Sequence, residues 1–147
     1  MISQKAQYAL RALLALAKAA PGETCLIGDI AEDQRIPKKF LEQILLDLKH
    51  HGIVQSRRGK AGGYLLLKNA DTITFGEVLR IVDGPLAPLP CLSRIAYRRC
   101  ETCVGEQACE IRRVFAKVAE STRQVLDNVT IHDAIRNPGD TLGVLSA

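Results

Sequence analysis

The sequence of 147 residues contains no apolar run of the roughly 20 residues that a membrane-spanning helix needs. Its first segment carries Arg11 and Lys18 among apolar residues and lacks the apolar core and the cleavage site of a signal peptide. Internal repeats are absent as well. With 47% hydrophobic and 24% charged residues, the composition is typical of a soluble globular protein. We therefore expect a cytoplasmic protein that does not enter a membrane.

Acidic residues are scarce between positions 38 and 68. This stretch holds seven Lys and Arg residues against two Asp and Glu residues, an excess of five, whereas the whole chain has a formal net charge of +4. The rest of the chain is therefore slightly acidic, and the positive charge is concentrated on one module. A concentrated basic face predicts a polyanion as partner. An ordinary solvated face is the alternative that charge alone leaves open.

Residues 36–67 have the pattern of a helix followed by a hairpin. After Pro37, a favourable first helical residue, apolar side chains recur at steps of three and four, which predicts one buried stripe: Phe40, Leu41, Ile44, Leu45 and Leu48. Gly52 then ends the helix. Strand-like segments follow at 53–54 and 64–67, joined by a basic, glycine-rich turn. A helix followed by a hairpin with a cationic tip predicts a winged helix.

The remaining apolar periodicity is helical. It predicts helices at 2–20, 26–34, 75–82 and 111–129, and a final short turn at 130–135. The helices at 26–34 and after Pro37 form a helix-turn-helix. The helix at 111–129 is too long for so small a head to cover, so we expect it to mediate dimerisation; packing against its own domain is the alternative. The predicted fold is mainly α with a small β-hairpin wing: a winged helix-turn-helix plus a long dimerisation helix.

Several short strings carry a resemblance to a known family. They lie at 40–43, 51–54, 56–59 and 62–64, with further matches at 7–12 and 76–84. These strings resemble the bacterial winged-helix regulators that include IscR, NsrR and CymR, and the resemblance covers nearly the whole chain. It implies a homodimer that binds a pseudo-palindromic operator in double-stranded DNA, with one winged head per half-site.

Seven polar residues are the candidate DNA contacts: Lys38, Lys39, Glu42, Gln43, Arg57, Arg58 and Lys60. Those near the exposed start of the recognition helix can reach phosphates or base edges. Glu42 can accept a hydrogen bond from the amino group of cytosine, and Gln43 can pair with adenine. Arg58 or Lys60, at the tip of the wing, can enter a narrow minor groove. A phosphate loop for a nucleotide is disfavoured, because the Gly pair at 62–63 leads into a strand and no GK[ST] follows.

Four of the five cysteines lie within nineteen residues: Cys91, Cys100, Cys103 and Cys109. In a reducing compartment such clustering indicates metal binding or redox chemistry. Thiolates are soft ligands that suit iron-sulfur clusters, zinc or copper(I). Nearby Arg94, Arg98 and Arg99 are expected to lower the thiolate pKa values. An iron-sulfur cluster, a thiol-disulfide switch, a structural zinc and no cofactor at all remain alternatives. Cys25 is expected to be a small buried residue.

The resemblance bears on the ligands. Cluster-binding relatives carry three cysteines in this loop, and Cys91, Cys103 and Cys109 stand in their places. The histidine ligand of IscR-like proteins is replaced by Arg112, and the acidic ligand of NsrR-like proteins would fall at Gln7. Cys100 is a candidate fourth ligand. The cluster type, 2Fe-2S or 4Fe-4S, therefore stays undecided, with zinc as the alternative metal.

Enzymatic alternatives lack support. The pair Cys100 and Cys103 has the spacing of a thiol oxidoreductase but not its strand-helix setting, and His132 has no third group to complete a catalytic pair with a cysteine. The sequence predicts a regulator, with repression as the expected effect, that senses iron-sulfur status or redox or nitrosative stress through a cysteine-ligated cluster. A regulator of the same fold that senses by thiol oxidation, a small molecule or a partner protein, or that carries structural zinc, is the alternative.

The predicted organisation has four parts. Residues 1–84 form the winged helix-turn-helix domain, 85–109 the cysteine-rich sensor loop, 110–136 the dimerisation helix with its terminal turn, and 137–147 a flexible tail.

Overall fold

The computed structural model describes residues 2–60 and 62–136. In these ranges the elements are α1 (Gln4–Lys18), α2 (Ile27–Gln34), α3 (Lys38–His50), β1 (Val54–Arg57), β2 (Gly63–Leu66), α4 (Phe75–Asp83), α5 (Glu110–Leu126) and α6 (Ile131–Arg136). The predicted fold class, mostly helical with a two-stranded hairpin, is confirmed. The predicted tail at 137–147 lies outside the described residues.

Helix α1 lies at the centre of the core and contacts α2, α3, α4, α6 and β2. Ser3 starts it by accepting a hydrogen bond on Oγ from the amide of Ala6 at 3.0 Å. Six of its side chains are buried, and three of them are alanines, which let the neighbouring helices approach closely. The sequence predicted a helix over 2–20, so the element is shorter at both ends.

The turn of the helix-turn-helix depends on Arg35. This residue has a left-handed conformation, with φ of 54°, and its amide donates to the carbonyls of Ala31 and Glu32. The amide of Ile36 closes the same turn on Ala31 at 2.9 Å. Pro37 is the N-cap of α3 rather than its first helical residue. The turn therefore sets the angle at which α3 leaves α2.

The buried stripe of α3 contains Leu41, Ile44, Leu45 and Leu48. The prediction that Phe40 belongs to this stripe is wrong, because its side chain is 37% exposed. It lies at the edge of the core, where its ring meets that of Tyr8 edge-on with centroids 5.6 Å apart. Spacing along one helix could not reveal this, since the neighbouring ring comes from α1.

The wing is an antiparallel hairpin in which Val54 pairs with Leu66 and Arg57 with Gly63. Cys25 extends it, because its amide and carbonyl exchange two 2.8 Å hydrogen bonds with Tyr64. A Cβ on Gly63, whose φ is +132°, would lie 2.5 Å from the Cys25 carbonyl oxygen. Cys25 is therefore half-buried in a backbone bridge, not fully buried as expected, and burial raises the pKa of its thiol. The bridge fixes the root of the wing to the core.

Helix α4 begins at Thr74, whose hydroxyl accepts from the amide of Glu77 at 3.1 Å. Thr74 followed by Glu77 three residues later is the sequence pattern of a capping box, but only this half of it forms, because the carboxylate of Glu77 pairs instead with Lys68 at 2.7 Å.

Helix α5 has 17 residues, and its C-terminal end is bound to the head. The amide of Phe75 donates to Val129 at 3.0 Å, and the amide of Ile131 donates to Ile73 at 2.9 Å. Asp127 and Arg80 form an ion pair at 2.7 Å. We call these contacts the α4–α5 clamp. Helix α6 then packs against α1 with Ile131 fully buried.

Most of α5 is uncovered. Within the helix only Ala119 is buried, while its apolar residues remain exposed: Ile111, Val114, Phe115, Val118 and Val125. We refer to these five residues as the α5 stripe. In the described ranges, no helix has the length and apolar character that crossing a membrane would require.

Candidate functional site

The start of α3 and the wing share one surface. A groove of about 510 Å³ is lined by Lys38 and Glu42 from α3, by Arg57 and Tyr64 from the wing, and by residues 26–29 at the start of α2. All seven residues predicted to contact DNA are exposed. The structure therefore brings Lys38, Glu42 and Arg57 together, and Lys39, Arg58 and Lys60 lie exposed on the same two elements.

These cations differ in how they are held. Arg57 donates to the carbonyl of Gly22 at 3.4 Å, so it also ties the wing to the loop before α2. Within the described residues, Lys38, Lys39, Arg58 and Lys60 form no side-chain hydrogen bond or ion pair. Their charges are consequently available to an external anion.

Gln43 is held in place by its own helix. Its amide nitrogen donates to Asp47 at 3.1 Å, and Lys5 of α1 donates to the same carboxylate at 2.8 Å. The hydrogen bond from Lys5 is the main reason that the pKa of Asp47 lies below its usual value. A base-reading role for Gln43 therefore requires it to exchange its bond to Asp47 for a bond to DNA.

Sequence reasoning missed the residues that set the position of the wing. Lys49 of α3 donates to the hydroxyl of Ser56 in β1 at 2.8 Å, and the hydroxyl of Thr24 donates to the carbonyl of Gly62 at 3.0 Å. In the sequence, Lys49 is only one of the seven cations between positions 38 and 68. No local pattern signals these pairs, because their partners are separated by 7 and 38 positions in the chain.

The second candidate site is a cavity of about 880 Å³ at the start of α5. Its lining includes all four clustered cysteines: Cys91, Cys100, Cys103 and Cys109. Cys91 lies in a 3-10 turn, Pro90–Leu92, and Cys109 is the N-cap of α5. A turn brings the amide of Cys103 to the carbonyl of Cys100 at 3.1 Å. All five cysteines are free thiols, and Cys25 lies apart in the wing.

Two observations test whether these residues suit a metal centre. In ranges 2–60 and 62–136, no three metal-binding side chains are close enough to hold a single ion. The four thiols thus share a cavity without forming the compact tetrahedral site that zinc requires, in which each sulfur lies about 2.3 Å from the metal. Four thiol side chains that line one cavity are nevertheless the donor type that binds an iron-sulfur cluster.

The second observation concerns Arg112, which also lines the cavity. Its Nε is buried and has no hydrogen-bond acceptor among the described residues. A buried donor without an acceptor costs about 1–3 kcal/mol. An anionic group in the cavity would remove that cost. The donor set and this nitrogen therefore fit a thiolate-bound, negatively charged cluster.

One of the four thiols, that of Cys100, is perturbed by hydrogen bonding. The Thr102 hydroxyl, which hydrogen-bonds Cys100, lowers the pKa of that exposed thiol. Arg99 donates to the carbonyl of Cys103 at 3.4 Å, and its interaction with the Cys103 thiol raises the pKa of Arg99. Arg94 faces Glu120 at 3.8 Å and lines a different cavity. The expectation that all three arginines act on the thiols is therefore wrong for Arg94.

A hydrogen-bond network lies beside the cysteine cavity, which Glu106 and Arg112 line. The Tyr97 hydroxyl donates to Glu106, and this bond raises the pKa of Tyr97. Glu106 also faces Arg112 at 4.0 Å.

Gln7, the other position compared with a ligand of the family, is exposed on α1.

A family model described as Rrf2, an iron-dependent transcriptional regulator, matches residues 2–137. The HTH-type transcriptional regulator rrf2-like of Rhodobacter capsulatus is 48% identical over 147 residues, covering 97% of this chain and 98% of that protein. IscR of Pectobacterium atrosepticum, also named an HTH-type transcriptional regulator, is 32% identical over 136 residues, with 92% and 79% covered. The solved structure of CymR, the global cysteine regulator of B. subtilis, matches with a TM-score of 0.77 at 28% identity, over 92% of this chain and 96% of that one.

Proposed function

This chain belongs to the Rrf2 family of transcriptional regulators, and from that premise we propose that it is a homodimeric repressor that binds a pseudo-palindromic operator and senses its signal through a cysteine-ligated iron-sulfur cluster. Because relatives and structural neighbours alike are regulators, the chain is a DNA-binding transcriptional regulator and not an enzyme. Its place of action would be the bacterial cytoplasm, where the operator lies. The observation that carries the DNA-binding part is the shared groove of α3 and the wing.

The DNA-reading roles follow from exposure and position. The start of α3 would enter the major groove, where Lys38 and Lys39 contact phosphates and Glu42 and Gln43 reach base edges. The wing would lie along the adjacent minor groove, with its cations against the phosphates or in the groove itself: Arg57, Arg58 and Lys60. Affinity would then fall steeply with salt, because each neutralised phosphate releases counterions.

The α5 stripe supports the homodimer. Five apolar side chains at helical spacing are left without cover, with Ile111 and Val114 more than 60% exposed. A second copy of α5 would bury this stripe and hold two heads side by side. Paired heads read paired half-sites, which explains why we expect a pseudo-palindromic operator.

Sensing is assigned to the cysteine cavity. Cys91, Cys103 and Cys109 would be three ligands, and Cys100 the fourth. An iron-sulfur cluster, when bound there, supplies a charged centre that responds to electrons, oxygen or nitric oxide. Since Cys109 is also the N-cap of α5, a change in how the thiols are held alters the start of this helix. If two states differ in head spacing, their difference in operator affinity sets the size of the response.

Thiol oxidation is the second candidate for sensing. The observation that favours it is Cys100, which is exposed, has a lowered thiol pKa and lies next to Cys103 in one turn. Thiolates are the form that oxidants attack. A disulfide between these two residues would constrain the loop without any metal. Structural zinc, a small molecule or a partner protein stays a less supported alternative.

Two measurements on anaerobically purified protein test the proposal. Selection from random duplexes should return an inverted repeat, and visible absorption with iron and sulfide content should reveal a cluster. Fluorescence anisotropy on the selected operator then compares protein with and without iron, and we expect different affinities. Equal affinities would contradict the sensing part, whereas a failure to enrich any duplex would contradict the DNA-binding part. A colourless, iron-free protein whose affinity changes with thiol oxidation would favour the second candidate.

A further inference from the structure

Arg112 occupies an unusual place at the cysteine cavity. It lies in the first turn of α5, three residues after Cys109, and its amide donates to the sulfur of Cys109 at 3.4 Å. The guanidinium donates through Nη2 to the carbonyl of Cys91 at 3.5 Å. One residue therefore contacts both ends of the cysteine-rich loop, Cys109 through its backbone amide and Cys91 through its guanidinium, although Cys91 lies 21 positions before Arg112 in the chain.

The guanidinium is not fully satisfied by these contacts. Its partner carboxylate, Glu106, is 4.0 Å away, at the limit of an ion pair, and is also bound by Tyr97. Nε remains buried and without an acceptor among residues 2–60 and 62–136. Arg112 cannot act as a normal metal ligand, because a guanidinium stays protonated at any physiological pH. What it can supply is a fixed positive charge and a hydrogen-bond donor.

We propose that Arg112 is a positioning residue for the anionic centre formed by the four thiolates and their cluster, and this assignment rests on the proposed function. Nη2 holds the backbone at Cys91, while the Nε–H, which has no acceptor among the described residues, would donate to the anionic centre when it is bound. Hydrogen bonds and positive charge at cluster sulfurs stabilise the more reduced, more negative state. Arg112 therefore raises the reduction potential and slows loss of the cluster, although it provides no ligand.

The test uses full-length protein loaded with ferrous iron and sulfide under anaerobic conditions. Arg112→Gln removes the positive charge and the guanidinium, and Arg113→Gln is the matched control, because Arg113 is the exposed neighbour on the same helix and does not line the cavity. Redox titration followed by visible absorption gives the midpoint potential, and the decay of the same absorption in air gives the rate of cluster loss.

We expect Arg112→Gln to take up iron like the wild type, since all four thiols remain, but to shift the midpoint potential to more negative values and to lose absorption faster in air. Arg113→Gln should match the wild type. Arg112→Lys keeps the charge and should shift the potential in the same direction by less, which covers the case in which the Gln variant does not fold. If both Arg112 variants match the control while the wild type holds a cluster, this assignment alone is overturned. If the wild type binds no iron, the assignment and the cluster part of the proposed function fail together.

Discussion

Arg58 is a wing cation whose side chain forms no bond within the described part of the chain. It is exposed, one residue beyond β1, and forms no hydrogen bond or ion pair with the residues that the structure describes. Arg57, in contrast, is partly occupied with the Gly22 carbonyl. Binding a phosphate costs less free energy for a guanidinium without internal partners, because no hydrogen bond within the protein must first be broken.

We therefore predict that Arg58→Ala weakens operator binding without loss of stability. The affinity should fall, and the slope of log K against log salt should become shallower by about one unit, since about one phosphate contact is lost. Anisotropy at several salt concentrations measures both. Lys117→Ala, which removes an exposed charge from α5, is the control and should leave the slope unchanged. Wild-type affinity in the Arg58 variant would rule out the wing contact.

Lys5 and Asp47 form an ion pair whose contribution to stability depends on pH. Their side chains are 30% and 29% exposed, so the pair contributes about 0.5–1 kcal/mol. The hydrogen bond from Lys5 holds the folded pKa of Asp47 below the ordinary aspartate value of about 3.9, so this contribution is present above that pH and is lost as the pH falls through the folded pKa.

Lys5→Gln should consequently destabilise the protein at pH 7 and have a much smaller effect near pH 3. Urea unfolding at both pH values and one fixed protein concentration measures the difference. Arg11→Gln removes a charge from an exposed position of the same helix and should have little effect at either pH. A Lys5→Gln effect that is the same at both pH values would assign its role to packing of the side-chain stem.

Residue roles could be predicted from sequence where exposure and charge decide them. The exposed cations of α3 and the wing follow from periodicity and charge. The bonds of Lys49 with Ser56 and of Gln43 with Asp47 could not be anticipated, because neither spacing nor charge tells which of several partners a side chain chooses. Phe40 was misassigned for a related reason: only the fold brings Tyr8 beside it.

Among the elements, α4 and α5 meet at a point that excludes a side chain. A Cβ on Gly76 would collide with Oδ1 of Asp127 and lie 3.1 Å from the carbonyl oxygen of Leu126. Alanine gains roughly 0.5–1 kcal/mol over glycine within a helix, but overpacking costs about 1–3 kcal/mol. The cost exceeds the gain, since the Asp127–Arg80 pair must also move.

Gly76→Ala should therefore lower the free energy of unfolding and weaken the α4–α5 clamp. Gly28→Ala is the control on α2, where nothing lies within 4 Å of the added carbon, and it should be neutral or stabilising. Chemical denaturation compares the two. Equal free energies of unfolding for the two variants would mean that the α4–α5 clamp rearranges around the added carbon at little cost.

The existence of the helices follows from their periodicity, but their ends depend on partners. Thr74 caps α4 as the sequence suggests, but the Glu77 carboxylate accepts from Lys68 and does not complete the capping box. The α4–α5 clamp could not be predicted, since Thr74 and Thr130 form a bridge across 56 positions that no local pattern connects. The cysteine loop lacks a period, so only the fold shows that its four thiols line one cavity.

At the scale of the whole molecule, the proposed homodimer depends on the α5 stripe. Val114→Glu combined with Val118→Glu places two charges on the stripe, and burying them against a second copy would be strongly unfavourable. We expect a folded monomer whose affinity for a full operator falls by about 100-fold or more, because the gain from bivalent binding is lost. Sedimentation and anisotropy measure these effects.

Lys117→Glu is the matched control, since it also adds negative charge to an exposed position of α5 but lies outside the stripe. It should remain dimeric. A double Val variant that stays dimeric would exclude the stripe as the dimer interface.

Helix α5 connects the cysteines at its N-terminal end to the clamp at its C-terminal end, so a rotation about one end displaces the other. Its 17 residues span about 25 Å. A pivot of roughly 10° about the cysteine end carries the far end through about 4 Å, slightly more than the 3.4 Å rise of one base pair. The clamp attaches the head to that far end, so on the proposed mechanism the head would move by a similar distance. A movement at the thiols too small to disturb the core would then displace the head by about one base-pair step relative to its half-site.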